Sequence, residues 1–320
     1  MNKIAIIGTG VIGTGWAARL LAHGHKVSVW DPSKKFGERM TANIARLWPT
    51  LERLGTSADA SPRNLEICTT LETACADADF VQESAPEDLE IKRELHTRID
   101  RAAPANALVA SSSSGLLPTE IQSATQHPGR FLIGHPFNPV YLLPLVEIVG
   151  GEQTEVNSIE SARAFYASLG MHPLIVRKEI EGYLSDRLQE ALWREALHLV
   201  NDDIATTEEL DDAIIYGPGL RWAIMGTCLT FHLAGGESGM RHMLRQFGPA
   251  LKLPWTKLEA PELTESLIDK MVAGTAAQAG DRSIEALEKL RDDCLIDIMR
   301  ALKNYQQGAG NLLKHSEDRT

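Results

Sequence analysis

The sequence predicts an α/β fold, doubly wound about a mainly parallel sheet, followed by an all-α domain. Three observations carry that prediction. Residues 3–31 read as strand, glycine-rich turn, helix and strand. Apolar β-branched runs then alternate with amphipathic stretches as far as Val176, and from Gly182 the apolar spacing is helical almost to Gln307. The change of texture places a boundary between residues 1–181 and 182–320.

Ile4 to Ile7 form the short apolar run of a strand buried on both faces. Gly8, Gly10 and Gly13 follow in G-x-G-x-x-G spacing, with Val11 and Ile12 between them. Trp16, Ala17, Leu20 and Leu21 repeat at helical intervals, Gly24 can stop the helix, and Val27 to Trp30 form a second strand ending at Asp31. By itself the glycine spacing could be an ordinary turn. Set between strand and helix, with an acid closing the second strand, it is a Rossmann-type dinucleotide site. Gly8 permits the tight turn, Gly10 lets backbone approach a pyrophosphate, Gly13 allows close helix packing, and Asp31 is placed to bond a ribose. An acid there favours NAD over NADP, although Lys34 and Lys35 stand nearby.

Met40, Ile44, Leu47 and Leu51 predict an amphipathic helix over 33–54, stopped by Gly55. A strand over 65–68, a helix over 71–78 and a strand over 79–82 come next. Residues 83–87 then read as a turn stiffened by Pro86, before a helix over 89–99. A strand over 107–110 leads to the serine-rich turn 111–115, and Leu132 and Ile133 lead into the turn GHPFNP, 134–139. Residues 143–150 read as a strand holding one acid, Glu147. A helix over 158–169 and a strand over 173–176 complete the first domain. Beyond the boundary, Leu184, Leu188, Leu192, Ala196 and Leu199 keep helical period, and residues 308–320 read as a polar tail.

The 320 residues carry a formal charge of −11, which argues against nucleic acid or an anionic membrane as partner. Four cysteines without paired spacing fit reduced thiols in a cytoplasmic protein and give no metal site. The first strand follows Asn2 directly, leaving no room for a signal peptide, and no apolar run reaches the length of a membrane span.

A carboxylate inside an apolar strand needs a partner, and His135, twelve residues before Glu147, can meet it. Alone, a histidine at a strand end is as readily a structural hydrogen-bonding group. At the ligand edge of a dinucleotide fold, with that acid downstream, it reads as a general base taking the proton of an alcohol whose hydride leaves to the cofactor.

GHPFNP with LVEIV, preceded by ASSSSGL and VQESAPE, resembles the L-3-hydroxyacyl-CoA dehydrogenase superfamily along nearly the whole chain. The resemblance implies His135 as base, Glu147 as its orienting partner, and Ser114 and Asn138 as donors around the substrate oxygen. It also implies Glu87 and Lys92 near the nicotinamide, and a helical domain that closes a substrate cleft and pairs two subunits into a homodimer. Two features depart from the acyl-CoA members. Asp186 stands where GYLSDR would otherwise carry asparagine, which suits a cationic ligand, and residues 41–64 are short, with only Arg46, Arg53 and Arg63 as bases.

The run 217–258 resembles the branch of the superfamily whose substrate is L-carnitine, a 3-hydroxy acid with a trimethylammonium group. L-gulonate 3-dehydrogenase and lambda-crystallin are relatives of that branch. A short-chain hydroxyacyl substrate, L-gulonate, or a non-catalytic NAD-binding role like the crystallin's are the alternatives, and the intact set of Ser114, His135, Asn138 and Glu147 favours an enzyme. Quaternary ammonium groups bind aromatic faces. Tyr183, Trp193, Trp222, Phe231 and Trp255 offer such faces, as do Phe137 and Tyr141 beside the base, and each is equally suited to core packing. Arg221 suits the substrate carboxylate or a structural ion pair.

Overall fold

A computed structural model describes residues 3–223, 225–235, 239–247, 249–250, 253–257, 264–267, 269, 280–306, 309–310 and 313. The contacts divide the chain into two units between Leu184 and Ser185.

The first unit is built on one eight-stranded sheet. Its strands are β1 (Lys3–Ile7), β2 (Lys26–Trp30), β3 (Leu65–Ile67), β4 (Phe80–Glu83), β5 (Leu108–Ser111), β6 (Phe131–Pro136), β7 (Leu145–Val149) and β8 (His172–Val176). They lie in the order β3-β2-β1-β4-β5-β6-β7-β8. The first six run parallel, β7 is antiparallel to β6, and β8 is parallel to β7. Ile4, Ala5, Ile6 and Ile7 are all buried because helices cover both faces of the central strand. The helices are α1 (Val11–Ala22), α2 (Phe36–Leu54), α3 (Leu71–Cys75), α4 (Leu89–Ala102), α5 (Pro118–Gln122) and α6 (Val156–Ser168).

Three boundaries differ from the sequence expectation, each for a local reason. Helix α2 starts at Phe36 rather than Ser33, because Ser33 is bonded back to Asp31 and Lys35 takes a left-handed backbone at φ 59°. Glu83 belongs to β4 and not to the following turn, paired in register with Ile7 on one side and Ser111 on the other. Gly134, His135 and Pro136 are strand rather than turn, because β7 extends the sheet on that side and pairs with them. Proline is tolerated at the last position of β6. Glycine is required two residues earlier, since a Cβ on Gly134 would sit 1.9 Å from the Tyr166 hydroxyl.

The β6–β7 connection, 137–144, carries a cis Asn138–Pro139 bond and is gripped from α1. Buried Arg19 donates to the carbonyls of Val140 at 2.8 Å and Leu143 at 3.2 Å, and to Leu169 at 3.0 Å. Loss of hydration lowers its guanidinium to about 10.

The second unit is helical where described. Its helices are α7 (Ser185–Asn201), α8 (Thr207–Ile215), α9 (Gly219–Trp222), α10 (Thr227–Ala234), α11 (Gly239–Phe247) and α12 (Ile284–Asn304). Thr206 and Glu209 form a reciprocal capping box at the start of α8. Leu197, Val200 and Leu267 form a small buried cluster with Leu210 against it. Of the run 217–258, residues 224, 236–238, 248, 251–252 and 258 lie outside the described residues, and so does most of the expected tail 308–320. Among the described residues no helix is long and apolar enough to cross a membrane.

Candidate active site

The glycine turn between β1 and α1 shows why each glycine is there. Gly8 has φ +97°, and a Cβ on it would meet the Ser84 carbonyl oxygen at 2.5 Å. A Cβ on Gly13 would lie 1.9 Å from the Gly8 carbonyl oxygen, so side-chain bulk there would force the turn open. Around the Cβ position of Gly10 there is nothing within 4 Å. That open side faces the start of α1, whose first turn has no side-chain cap and therefore keeps backbone N–H groups for an anion. Asp31 closes the turn: it accepts from Thr9 N at 2.8 Å, from Ser33 N at 2.8 Å and from the Ser33 hydroxyl. Burial alone would raise its carboxyl, but these bonds outweigh burial and hold it below the ordinary value. A cavity of about 540 Å³ runs past Gly8, Gly10, Val11, Ile12 and Asp31. The open glycine, the uncapped helix start and the acid at the strand end fit a dinucleotide.

Where β4 leaves the sheet, a second acid organises the floor of the crevice. Glu83 is fully buried and binds the Lys92 ammonium at 2.9 and 3.1 Å, His96 Nε2 at 3.0 Å and the Ser111 hydroxyl at 2.5 Å, together with Ala85 N. Burial pushes its carboxyl up, yet the charge of Lys92 and the bonds from His96 and Ser111 prevail and hold it at about 2. Lys92 is 1% exposed, donates also to the Ala85 carbonyl at 3.2 Å, and lies 3.7 Å from Glu87. Its ammonium therefore acts within this cluster. One Glu87 oxygen accepts from the Ser113 hydroxyl at 2.5 Å, Ser114 N at 3.0 Å and Gly115 N at 2.9 Å, so Glu87 shapes the serine turn.

Antiparallel pairing sets His135 of β6 directly opposite Glu147 of β7, on one face of the sheet. His135 Nδ1 stands 2.9 Å from Glu147 Oε2, and both residues are buried. A carboxylate only accepts, so Nδ1 carries the proton and Nε2 is the basic nitrogen. Glu147 Oε1 accepts from Leu184 N at 3.0 Å. The imidazole is held between rings: Phe137 at 6.0 Å and Tyr183 at 5.5 Å between centroids, both edge-on. Ser114 and Asn138 are exposed, at the ends of the serine turn and of β6. This arrangement can take a proton from a substrate hydroxyl and share the resulting charge with a buried carboxylate.

The aromatic candidates part company. Tyr183, expected to offer a face to substrate, is fully buried at a left-handed φ of 45°, and its hydroxyl donates to the Leu116 carbonyl at 2.8 Å. Burial leaves it a packing role against His135. Tyr141 is buried, Phe137 and Asp186 are half-buried, and Arg221 is exposed. In the helical unit Trp193, Trp222, Phe231 and Trp255 keep substantial exposure, Trp222 at 39% and Phe231 at 45%. Glu83, His96 and Arg19 were not singled out from sequence. Glu83 carried little signal, since polar Gln82 separates it from the apolar pair Phe80 and Val81 and Ser84, Ala85 and Pro86 follow it.

Known proteins resemble this chain along nearly its whole length. The family model described as "3-hydroxyacyl-CoA dehydrogenase, NAD binding domain" matches residues 3–180, and that described as "3-hydroxyacyl-CoA dehydrogenase, C-terminal domain" matches 182–281. An L-carnitine dehydrogenase of Pseudomonas sp is 57% identical over 302 residues, 94% of each chain. One from Oceanobacillus iheyensis is 54% identical over 305 residues, 95% of this chain and 99% of that one. Among solved structures, an NAD+-dependent dismutase, 5-formyl-3-hydroxy-2-methylpyridine 4-carboxylic acid 5-dehydrogenase, has a TM-score of 0.79 at 25% identity, covering 95% of this chain and 99% of that one.

Proposed function

The chain belongs to the 3-hydroxyacyl-CoA dehydrogenase family, and we propose that within it this protein oxidises the C3 hydroxyl of L-carnitine to 3-dehydrocarnitine with NAD. The observation that carries the substrate is identity of 52–57% to L-carnitine dehydrogenases over nearly the full length of both chains. Bound NAD supplies the hydride acceptor. The glycine turn and the first turn of α1 would hold its pyrophosphate, and Asp31 its adenosine ribose.

His135 Nε2 takes the hydroxyl proton as the C3–H pair leaves as hydride, and the C3–O bond becomes a carbonyl. Glu147, already bonded to Nδ1, fixes the ring and stabilises the imidazolium that forms. Ser114 and Asn138 would donate to the substrate oxygen. Glu87 supports this by fixing the serine turn, and the Glu83 and Lys92 pair by fixing Ser111 and Ala85 beneath it. In the helical unit, Trp222 and Phe231 are the aromatic faces we assign to the trimethylammonium group, a contact worth up to about 2 kcal/mol when desolvated. Arg221 is assigned to the carboxylate and Asp186 to the cationic end. The same unit is our candidate for homodimer formation, supported by exposed apolar residues such as Leu188 at 73% and Leu220 at 71%. A cytoplasmic setting fits cysteines that are all free among the described residues.

Steady-state kcat/KM with NAD on L-carnitine, L-gulonate and 3-hydroxybutyryl-CoA tests the assignment. L-Carnitine is expected to exceed both others at least tenfold, a margin of about 1.4 kcal/mol in transition-state binding. A higher value for either rival overturns it.

A further inference from the structure

One face of α4 also lines the dinucleotide cavity: Ile91, Glu94, Leu95 and Arg98 do so at spacings of three, one and three residues. Trp30, Asp31 and Pro32, at the end of β2, line the same cavity. Two of these residues form a single unit. The guanidinium carbon of Arg98 sits 5.4 Å from the centroid of the Trp30 ring, over its face. Glu72 on α3 holds Arg98 from the side, accepting from Nη2 at 3.0 Å and from Nε at 3.3 Å. Carboxylate and indole together fix the plane of the guanidinium, and Trp30 is packed against the hydrophobic core beneath.

We propose that this Trp30–Arg98 pair is the platform for the adenine base of the dinucleotide, with Glu72 as the positioning residue that holds the guanidinium flat. The inference rests on the reading of the cavity as an NAD site and goes beyond it, because neither the glycine turn nor Asp31 explains how the base itself is gripped. The chemistry is that of a planar, weakly hydrated cation and an indole, both of which stack on an aromatic base. Arg98 is already paired with a carboxylate and shares its cavity with Asp31, so the platform suits a neutral ring better than a second phosphate. It divides the cofactor by chemistry. The adenosine half depends on Arg98, and the nicotinamide half on the elements around Ser84 and the serine turn.

Equilibrium binding to the whole protein, followed by tryptophan fluorescence and calorimetry, separates the halves with three probes: NADH, ADP-ribose and reduced nicotinamide mononucleotide. Arg98→Ala is expected to weaken NADH and ADP-ribose about tenfold and to leave the mononucleotide unchanged. Arg98→Lys, which keeps the charge and loses the plane, should recover less than half of that loss on a logarithmic scale. Glu72→Gln should weaken NADH about twofold to threefold through the loosened guanidinium. Thermal melting of each variant verifies that the fold is retained. Unchanged NADH affinity in Arg98→Ala, full recovery in Arg98→Lys, or equal weakening of the mononucleotide overturns the proposal. Failure of the wild-type protein to bind NADH would instead overturn the cofactor reading itself.

Discussion

Glu83 and Glu147 are both fully buried in strands of one sheet, and each holds a histidine nitrogen, at 3.0 Å for His96 and 2.9 Å for His135. Their surroundings differ. Glu83 is saturated by Lys92, Ser111 and Ala85 N, and its histidine is 0% exposed, edge-on to Phe131 with centroids 4.7 Å apart. The other nitrogen of that ring, His96 Nδ1, has no hydrogen-bond partner among the described residues. Glu147 accepts from Leu184 N and orients His135, which retains 4% exposure at the end of β6. The same residue pair thus serves as a structural anchor where a buried ammonium binds the carboxylate and the ring is sealed from solvent, and, in the mechanism proposed above, as the base and its support where the imidazole keeps an exposed edge.

Substitution separates the two. His135→Gln keeps a donor for Glu147 but removes the base, so kcat should fall by about 10³-fold while NADH affinity and melting temperature hold. Retained turnover would take His135 out of the mechanism. Glu83→Gln strands the Lys92 ammonium at 1% exposure, and denaturant unfolding should report a loss of about 3–5 kcal/mol. A loss below about 1 kcal/mol would show that the cluster is not the anchor described. For Glu147→Gln the order should invert, with kcat down about a hundredfold as the main effect, because a neutral amide no longer answers the charge on the imidazolium. An unchanged kcat would erase the distinction.

The smallest effect is in acid. The Glu83 carboxyl is held at about 2 against an ordinary 4.5. Its contribution to stability is complete above 4.5 and is lost as pH falls toward 2, because the unfolded chain takes up that proton first. Wild type should therefore lose more stability between pH 5 and pH 3 than Glu83→Gln does, measured by urea unfolding at each pH. Parallel losses would place the acid sensitivity elsewhere.

The two carboxylates also differ in how far the sequence revealed them. Glu147 interrupts an apolar strand, and its distance from His135 is that of two strands joined by a short connection, so the pairing was legible. Glu83 was hidden by its neighbours: with Ser84, Ala85 and Pro86 following, it read as the first residue of a turn. Only its pairing to Ile7 and Ser111 puts it inside the sheet. His96 and Lys92, four residues apart on a polar-looking helix, gave no sign that both turn inward to one acid. Tyr183 read as an aromatic free to meet a ligand, and its complete burial depends on a left-handed backbone that no local spacing signals in a tyrosine.

Local pattern determined the sheet, the helices, the glycine turn and the pairing of His135 with Glu147, because glycine spacing, strand alternation and a misplaced charge are properties of neighbouring residues. Tertiary structure decided which charges meet: Glu83 with Lys92 and His96, Arg19 with the carbonyls of the β6–β7 connection, Arg98 with Trp30 and Glu72. Those partners lie between 9 and 124 residues apart in the chain. A buried charge is tolerated only where the fold delivers its complement, and that delivery is set by strand order and helix packing, which composition and periodicity do not contain.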